Sequence, residues 1–202
     1  LALNPNQLAA LKGNQLQGLT ENQMAMLTPS QLSAWTPEQF QVLSPLQIAA
    51  INPVFFNRIN PLILQNMSVA QIAALTPQDI AAMGLPQIQA FTIVWMANLN
   101  PLQLSGLLPY QIQTFSPIQL RALPNRALWT LSNQQLQSFT PEQLSQFNAG
   151  QINPLISLFT PQQLMGLQQK QFATVTNPSE QGGAALNRPM RERNVPQPNL
   201  NR

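Results

Sequence analysis

From Asn4 onward an apolar residue occupies the fifth and eighth place of every eight, while most of the other places are polar. The pattern is plainest in "LTPSQLSAWTPEQFQVLSPLQIAAIN", residues 27–52, which holds TPSQLSAW, TPEQFQVL and SPLQIAAI in succession. Nineteen octads run without a slip from Asn4 to Leu155. Four extra residues, Ile156 to Phe159, break the phase, and TPQQLMGL (160–167) and QQKQFATV (168–175) resume it. Across these 21 units positions 5 and 8 are apolar without exception, position 4 is Gln in 16, position 1 is Ser, Thr or Asn in 16, and position 2 is Pro in 12. Two columns that never fail mark a packed repeat architecture, not a disordered polar tract.

Each column predicts one part of a short helix. Ser, Thr or Asn at position 1 is an N-cap, Pro fits the first helical position, and Gln at position 4 closes a capping box. The next Pro ends the helix by removing a donor and forcing the residue before it toward extended geometry. In one unbroken helix an octad advances the apolar pair by about 80° per repeat and smears it around the surface. A chain that bends at each unit keeps every pair on one core. A helix of about six residues is too short to persist alone in water, so stability must come from stacking.

Position 6 predicts how many units make one coil. Gln17, Gln41, Gln65, Gln89, Gln113 and Gln137 recur there at every third unit, and the third class of units, at Thr20, Ser44, Ser68, Thr92, Ser116 and Thr140, always opens on Ser or Thr. A 24-residue superperiod predicts an all-α solenoid, three short helices per coil and triangular in section. About seven coils at the usual spacing of packed helices make a rod on the order of 60 Å long. The Gln column at position 6 has two readings: a solvated face, or amides that bridge one coil to the next.

Irregularities supply candidate contact residues. Phe55, Ile63, Asp79, Trp95 and Ala127 replace the Gln of position 4. Phe55, Phe56 and Ile63 form one greasy patch and Trp95 centres another, each either a local enlargement of the core or an exposed face for a partner. Trp35 and Trp129 read as core residues. The four extra residues ending at Phe159 read as a bulge that bends the rod, or as a docking loop. Leu1 and Leu3 belong to an octad whose first half is missing, so the array begins without a capping unit and its open end is a further candidate contact. Leu1 in place of Met points to a processed chain or a segment of a larger one. The organisation expected is a solenoid over residues 1–175, irregular at 156–159, then an extended tail over 176–202 with candidate contacts Arg188, Arg191 and Arg193.

Composition narrows the function. There is no Cys and no His, and only six carboxylates, which points away from thiol and imidazole chemistry, cofactor and metal sites, and hence from an enzyme acting on a small-molecule substrate. Isolated acids such as Asp79 and Glu142 sit in first turns, where they complement helix starts. Only 7% of residues are charged, so little repulsion keeps copies apart and a homo-oligomer or filament, or packing on neighbouring parts of a longer chain, is expected. The net charge is +3, and the tail's arginines lie beside two Glu without interleaved aromatic residues, so no nucleic-acid partner is expected. No apolar run approaches the roughly 18 residues of a membrane span, and no signal-peptide pattern is present.

The units LTPSQL, FTPEQLSQF and LTPQDIAAM resemble the short L-T-x-x-Q-[hydrophobic] repeats of large bacterial secreted and cell-surface proteins, over residues 1–175. The resemblance implies an extracellular or cell-surface location and transfers no catalytic residue. The reading is a non-catalytic structural rod: a stalk, a spacer, or a filament subunit stacking end to end. The alternative is a solenoid that binds a protein or peptide partner.

Overall fold

The structure, a computed structural model, describes residues 4–176, with side chains through residue 168. Helices of four to six residues follow one another from Pro5–Ala9 to Ala149–Ile152. Pro53–Arg58 among them is a 3-10 helix, as is Asn153–Leu158 after them. The fold is an α-solenoid-like repeat of short, similarly spaced helices.

The local cause is the capping box. Thr28 is extended, Gln31 N–H donates to its hydroxyl, and Thr28 N–H donates back to the Gln31 side chain at 2.7 Å. The Gln half of the box needs no hydroxyl at position 1, since Lys12 N–H and Leu108 N–H donate to Gln15 and Gln111 in the same way. Pro is dispensable where a cap is present: the units opening on Thr20, Ser68 and Ser132 break as cleanly as the rest. Gln168 and Gln169 offer neither signal. The last two octads accordingly merge into one helix, Pro161–Thr176, instead of two short ones.

Positions 5 and 8 form the core. Every position 5 from Leu8 to Leu144 is at most 2% exposed, and position 8 is buried from Leu27 to Phe139. All belong to one continuous cluster. Helices three units apart pack on each other, as Pro5–Ala9 does on Pro29–Ser33 and Glu21–Ala25 on Pro45–Ala49. Pro77–Ala82 likewise lies between Pro53–Arg58 and Pro101–Ser105. That last approach depends on Gly106, where a Cβ would overlap the Pro77 backbone.

The phase break is neither a bulge nor a loop. Within NPLISLF, residues 153–159, Asn153–Leu158 winds into its own 3-10 turn and Phe159 follows it in extended geometry, with Leu155 and Phe159 buried. That turn packs on Asn133–Gln137, and Pro161–Thr176 packs on Pro141–Leu144. Both contacts keep the three-unit spacing only if NPLISLF counts as a unit and NAGQI, residues 148–152, as a shortened one. Twelve residues do what sixteen do elsewhere, so the four apparent extras mark a contraction.

Candidate functional site

The most regular chemical feature of the molecule is the position 4 glutamine. Its Oε1 accepts the N–H of its own N-cap, and its Nε2 donates to backbone carbonyls of the unit four earlier, 31 and 28 residues back. Gln47 Nε2 lies 2.8 Å from Leu16 O and 2.7 Å from Leu19 O, and Gln71 lies 3.0 Å from both Phe40 O and Leu43 O. Gln103, Gln111, Gln119, Gln135 and Gln143 repeat the arrangement, and all five are buried. The carbonyl 31 residues back also accepts the N–H three residues further on, as Leu16 O does from Leu19 N at 3.1 Å. The one 28 back lies just past the helix end and, as at Leu19 O, meets no backbone donor among the described residues. One amide therefore serves a free donor at one helix start and, at another helix end, one carbonyl that already has a local partner and one just past the helix that has no backbone donor. Gln163 confirms the contraction: it reaches Leu136 O and Phe139 O, only 27 and 24 residues back.

The position 6 glutamines do not bridge. Gln17, Gln41, Gln65, Gln89, Gln113 and Gln137 are all exposed, so that column is the solvated face. The bridging amides occupy position 4, the commoner Gln column, where the capping box accounts for the Oε1 bond but not for those of Nε2. The additional signal is that position 4 holds Gln even where position 1 is Lys12 or Leu108, so more than a reciprocal box is being satisfied.

The candidate contact residues part company here. Phe56, Ile63 and Trp95 are at most 1% exposed and Phe159 8%, so they are core residues and offer no face to a partner. Each points inward, and Ile63 and Trp95 bury apolar surface at position 4, where other units carry an amide. Phe55 is half-buried against the same cluster. Leu1, Leu3, Arg188, Arg191 and Arg193 lie outside the described residues. Trp95 does more than fill space: its Nε1 donates to Leu64 O at 2.6 Å, 31 residues back, the bond a glutamine makes there. Trp35 is core as expected, with its Nε1 buried and unpartnered. Trp129 is instead 51% exposed, because position 6 faces outward.

Asp79 is the one charged replacement. It is 1% exposed, and Thr76 donates to its Oδ2 from both backbone and hydroxyl. Burial pushes its carboxyl above the ordinary aspartate range, more than the Thr76 bonds pull it down. Exposed Glu38 moves the other way, held down first by its own backbone N–H and then by the Thr36 hydroxyl.

Outside the core, Leu46, Val69, Ile93, Val94 and Ile118 are all about half exposed or more. They sit at positions 2 and 3 of four helices that pack in succession, Pro45–Ala49, Val69–Ala73, Ile93–Asn98 and Pro117–Ala122. Together they form an apolar stripe along one side. Among the described residues no group of His, Cys, Asp or Glu could hold a metal ion, and no helix is long and apolar enough to cross a membrane. An open groove between Gln17, Leu19, Glu21, Ser44 and Leu46 contains no buried side-chain polar atom lacking a partner. The chain matches no protein-family model, no curated protein and no solved structure.

Proposed function

We propose that this chain is a structural rod, a three-sided solenoid with three octads per coil, serving as a stalk, a spacer or a filament subunit that stacks end to end. The observation that carries the reading is the amide ladder. Gln47 joins Ser44 N to Leu19 O, residues 25 apart, and helix contacts recur every three units, so both measures give a coil of about three octads. A ladder of directed bonds parallel to the axis resists bending and stretching, which suits a spacer. It uses the polar side chains to hold the rod together, leaving few for substrate chemistry. Gln7, Gln15 and Gln23 fit the same reading. They close their boxes, yet they are exposed and their Nε2 atoms donate to nothing among the described residues. A further coil laid against them, from an upstream segment or another copy, would accept those donors. An extracellular or cell-surface location, with residues 176–202 as a connector, completes the proposal.

Negative-stain electron microscopy over a concentration series, with a chain ending at Val175 beside the full one, is the test. Rods on the order of 60 Å long at the usual helix spacing, joining into filaments at high concentration, are expected. Compact particles without a long axis would overturn the rod, and strictly monomeric rods would overturn end-to-end stacking. The lateral apolar stripe favours a second reading, a solenoid that binds a protein partner along its side.

A further inference from the structure

One rung of the ladder carries a carboxyl in place of an amide. The helix Pro77–Ala82 starts from a Thr cap like its neighbours, but its rung is Asp79. Thr76 N–H and the Thr76 hydroxyl both donate to Oδ2, at 2.7 and 2.8 Å. That oxygen does the work of a ladder glutamine's Oε1, and Oδ1 is the counterpart of the glutamine's amide nitrogen, on a side chain one methylene shorter. In the regular units that nitrogen donates to carbonyls 31 and 28 residues back, as Gln103 does to Ile72 and Leu75. Counted back from Asp79, the corresponding carbonyls are those of Ile48 and Ile51.

A primary amide and a protonated carboxyl present the same pair, an acceptor oxygen beside a donor. An ionised carboxylate presents two acceptors. Ionised, Asp79 would set negative charge against carbonyl oxygens in a buried place, and neutral, it completes the rung. We propose that Asp79 is a proton-dependent rung, which donates to the Ile48 or Ile51 carbonyl when protonated and releases the coil beneath when ionised. Among the helices around it, Pro45–Ala49, Val69–Ala73, Leu85–Gln89 and Pro101–Ser105 carry no ionisable side chain, and Pro53–Arg58 carries only the exposed Arg58. The groups acting on the Asp79 carboxyl are burial first and the Thr76 donors second.

The direction of the effect follows from linkage. Between the ordinary value of 3.8 and the raised folded-state value, the native chain holds a proton that the unfolded chain has lost. The rung's contribution is therefore complete below the ordinary value and disappears as pH rises through the folded one.

The test is urea unfolding of the full chain and of Asp79→Gln across acidic to neutral pH, with a carbon-13 NMR titration of the Asp79 carboxyl in the unsubstituted chain. The expected titration lies above 3.8. Within the window the unfolding constant of the Asp chain should rise by up to about tenfold per pH unit relative to Asp79→Gln, the slope of one proton. The other five carboxylates are common to both chains and cancel. Titration at or below the ordinary value, or equal pH slopes in the two chains, would overturn the proposal.

Discussion

The helices from Pro101–Ser105 to Pro141–Leu144 and the pair Pro53–Arg58 and Pro61–Gln65 solve the same problem in different ways. In the first stretch most N-caps bond the third helical residue and a buried Gln returns the bond. In the second, Phe55 and Ile63 take the Gln position, no box forms, and Asn52 and Asn60 bond the second helical residue instead. The first helix of that pair tightens to 3-10 geometry. Yet the apolar stretch is not cut out of the ladder, because each rung reaches backward. Gln87 still takes Asn57 O and Ile59 O, and Trp95 takes Leu64 O. A unit can thus lose its own rung and keep the one that caps its helix end, provided something bulky fills the core.

Removing a rung without that compensation should cost most. Gln103 is 1% exposed and serves Asn100 N, Ile72 O and Leu75 O at once. Gln103→Ile should destabilise the chain by about 3 kcal/mol, since buried polar groups left without partners each cost on the order of 1–3 kcal/mol. A urea unfolding series measures it. A loss within experimental error would mean that the ladder follows packing and does not contribute to it.

Trp95 tests the apolar side of the comparison. It stacks on Phe91 at 4.2 Å between ring centres while donating to Leu64 O. Trp95→Phe keeps an aromatic ring but removes the buried indole bond, leaving Leu64 O to its local backbone donor Met67 N, and loses volume, for a loss of about 2 kcal/mol by the same unfolding measurement. Ile63→Gln runs the other way and should stay within about 1 kcal/mol of the parent chain, as burial lost is offset by hydrogen bonds gained. Its diagnostic is protection of the Asn60 amide in hydrogen exchange, which should rise if a box forms.

The helix starts, the two inward columns and the three-unit spacing of contacts were legible in the octad, because capping chemistry and apolar burial act within or between identical units. Five features were less so. The Gln at position 4 has two jobs, and its local one hides the distant one. The contraction at residues 148–159 looks like an insertion in the sequence because NPLISLF lacks the Gln that would mark it as a unit. The fusion of the last two octads follows from the missing cap at Gln168. Phe56 and Trp95 drew attention as greasy departures, although inward columns accept bulk wherever neighbouring side chains make room. The lateral stripe is spread over positions 2 and 3 of distant octads, so only stacking brings it together.

The smallest effect belongs to Trp35, and it separates packing from hydrogen bonding. Trp35 and Trp95 are both buried, and both touch a phenylalanine, Trp35 meeting Phe40 edge-on at 6.0 Å. They differ in one atom's company: Nε1 of Trp95 has Leu64 O, and Nε1 of Trp35 has no partner. Trp35→Phe removes an unsatisfied donor, a gain on the order of 1–3 kcal/mol, and gives up ring area that offsets much of it. The net change should lie within about 1 kcal/mol of zero. Measured together, the same substitution at the two sites should differ by roughly 1.5 kcal/mol or more, with Trp95→Phe the costlier. Equal losses would show that a tryptophan in this core contributes only bulk, and that Trp95 replaces the glutamine in shape alone.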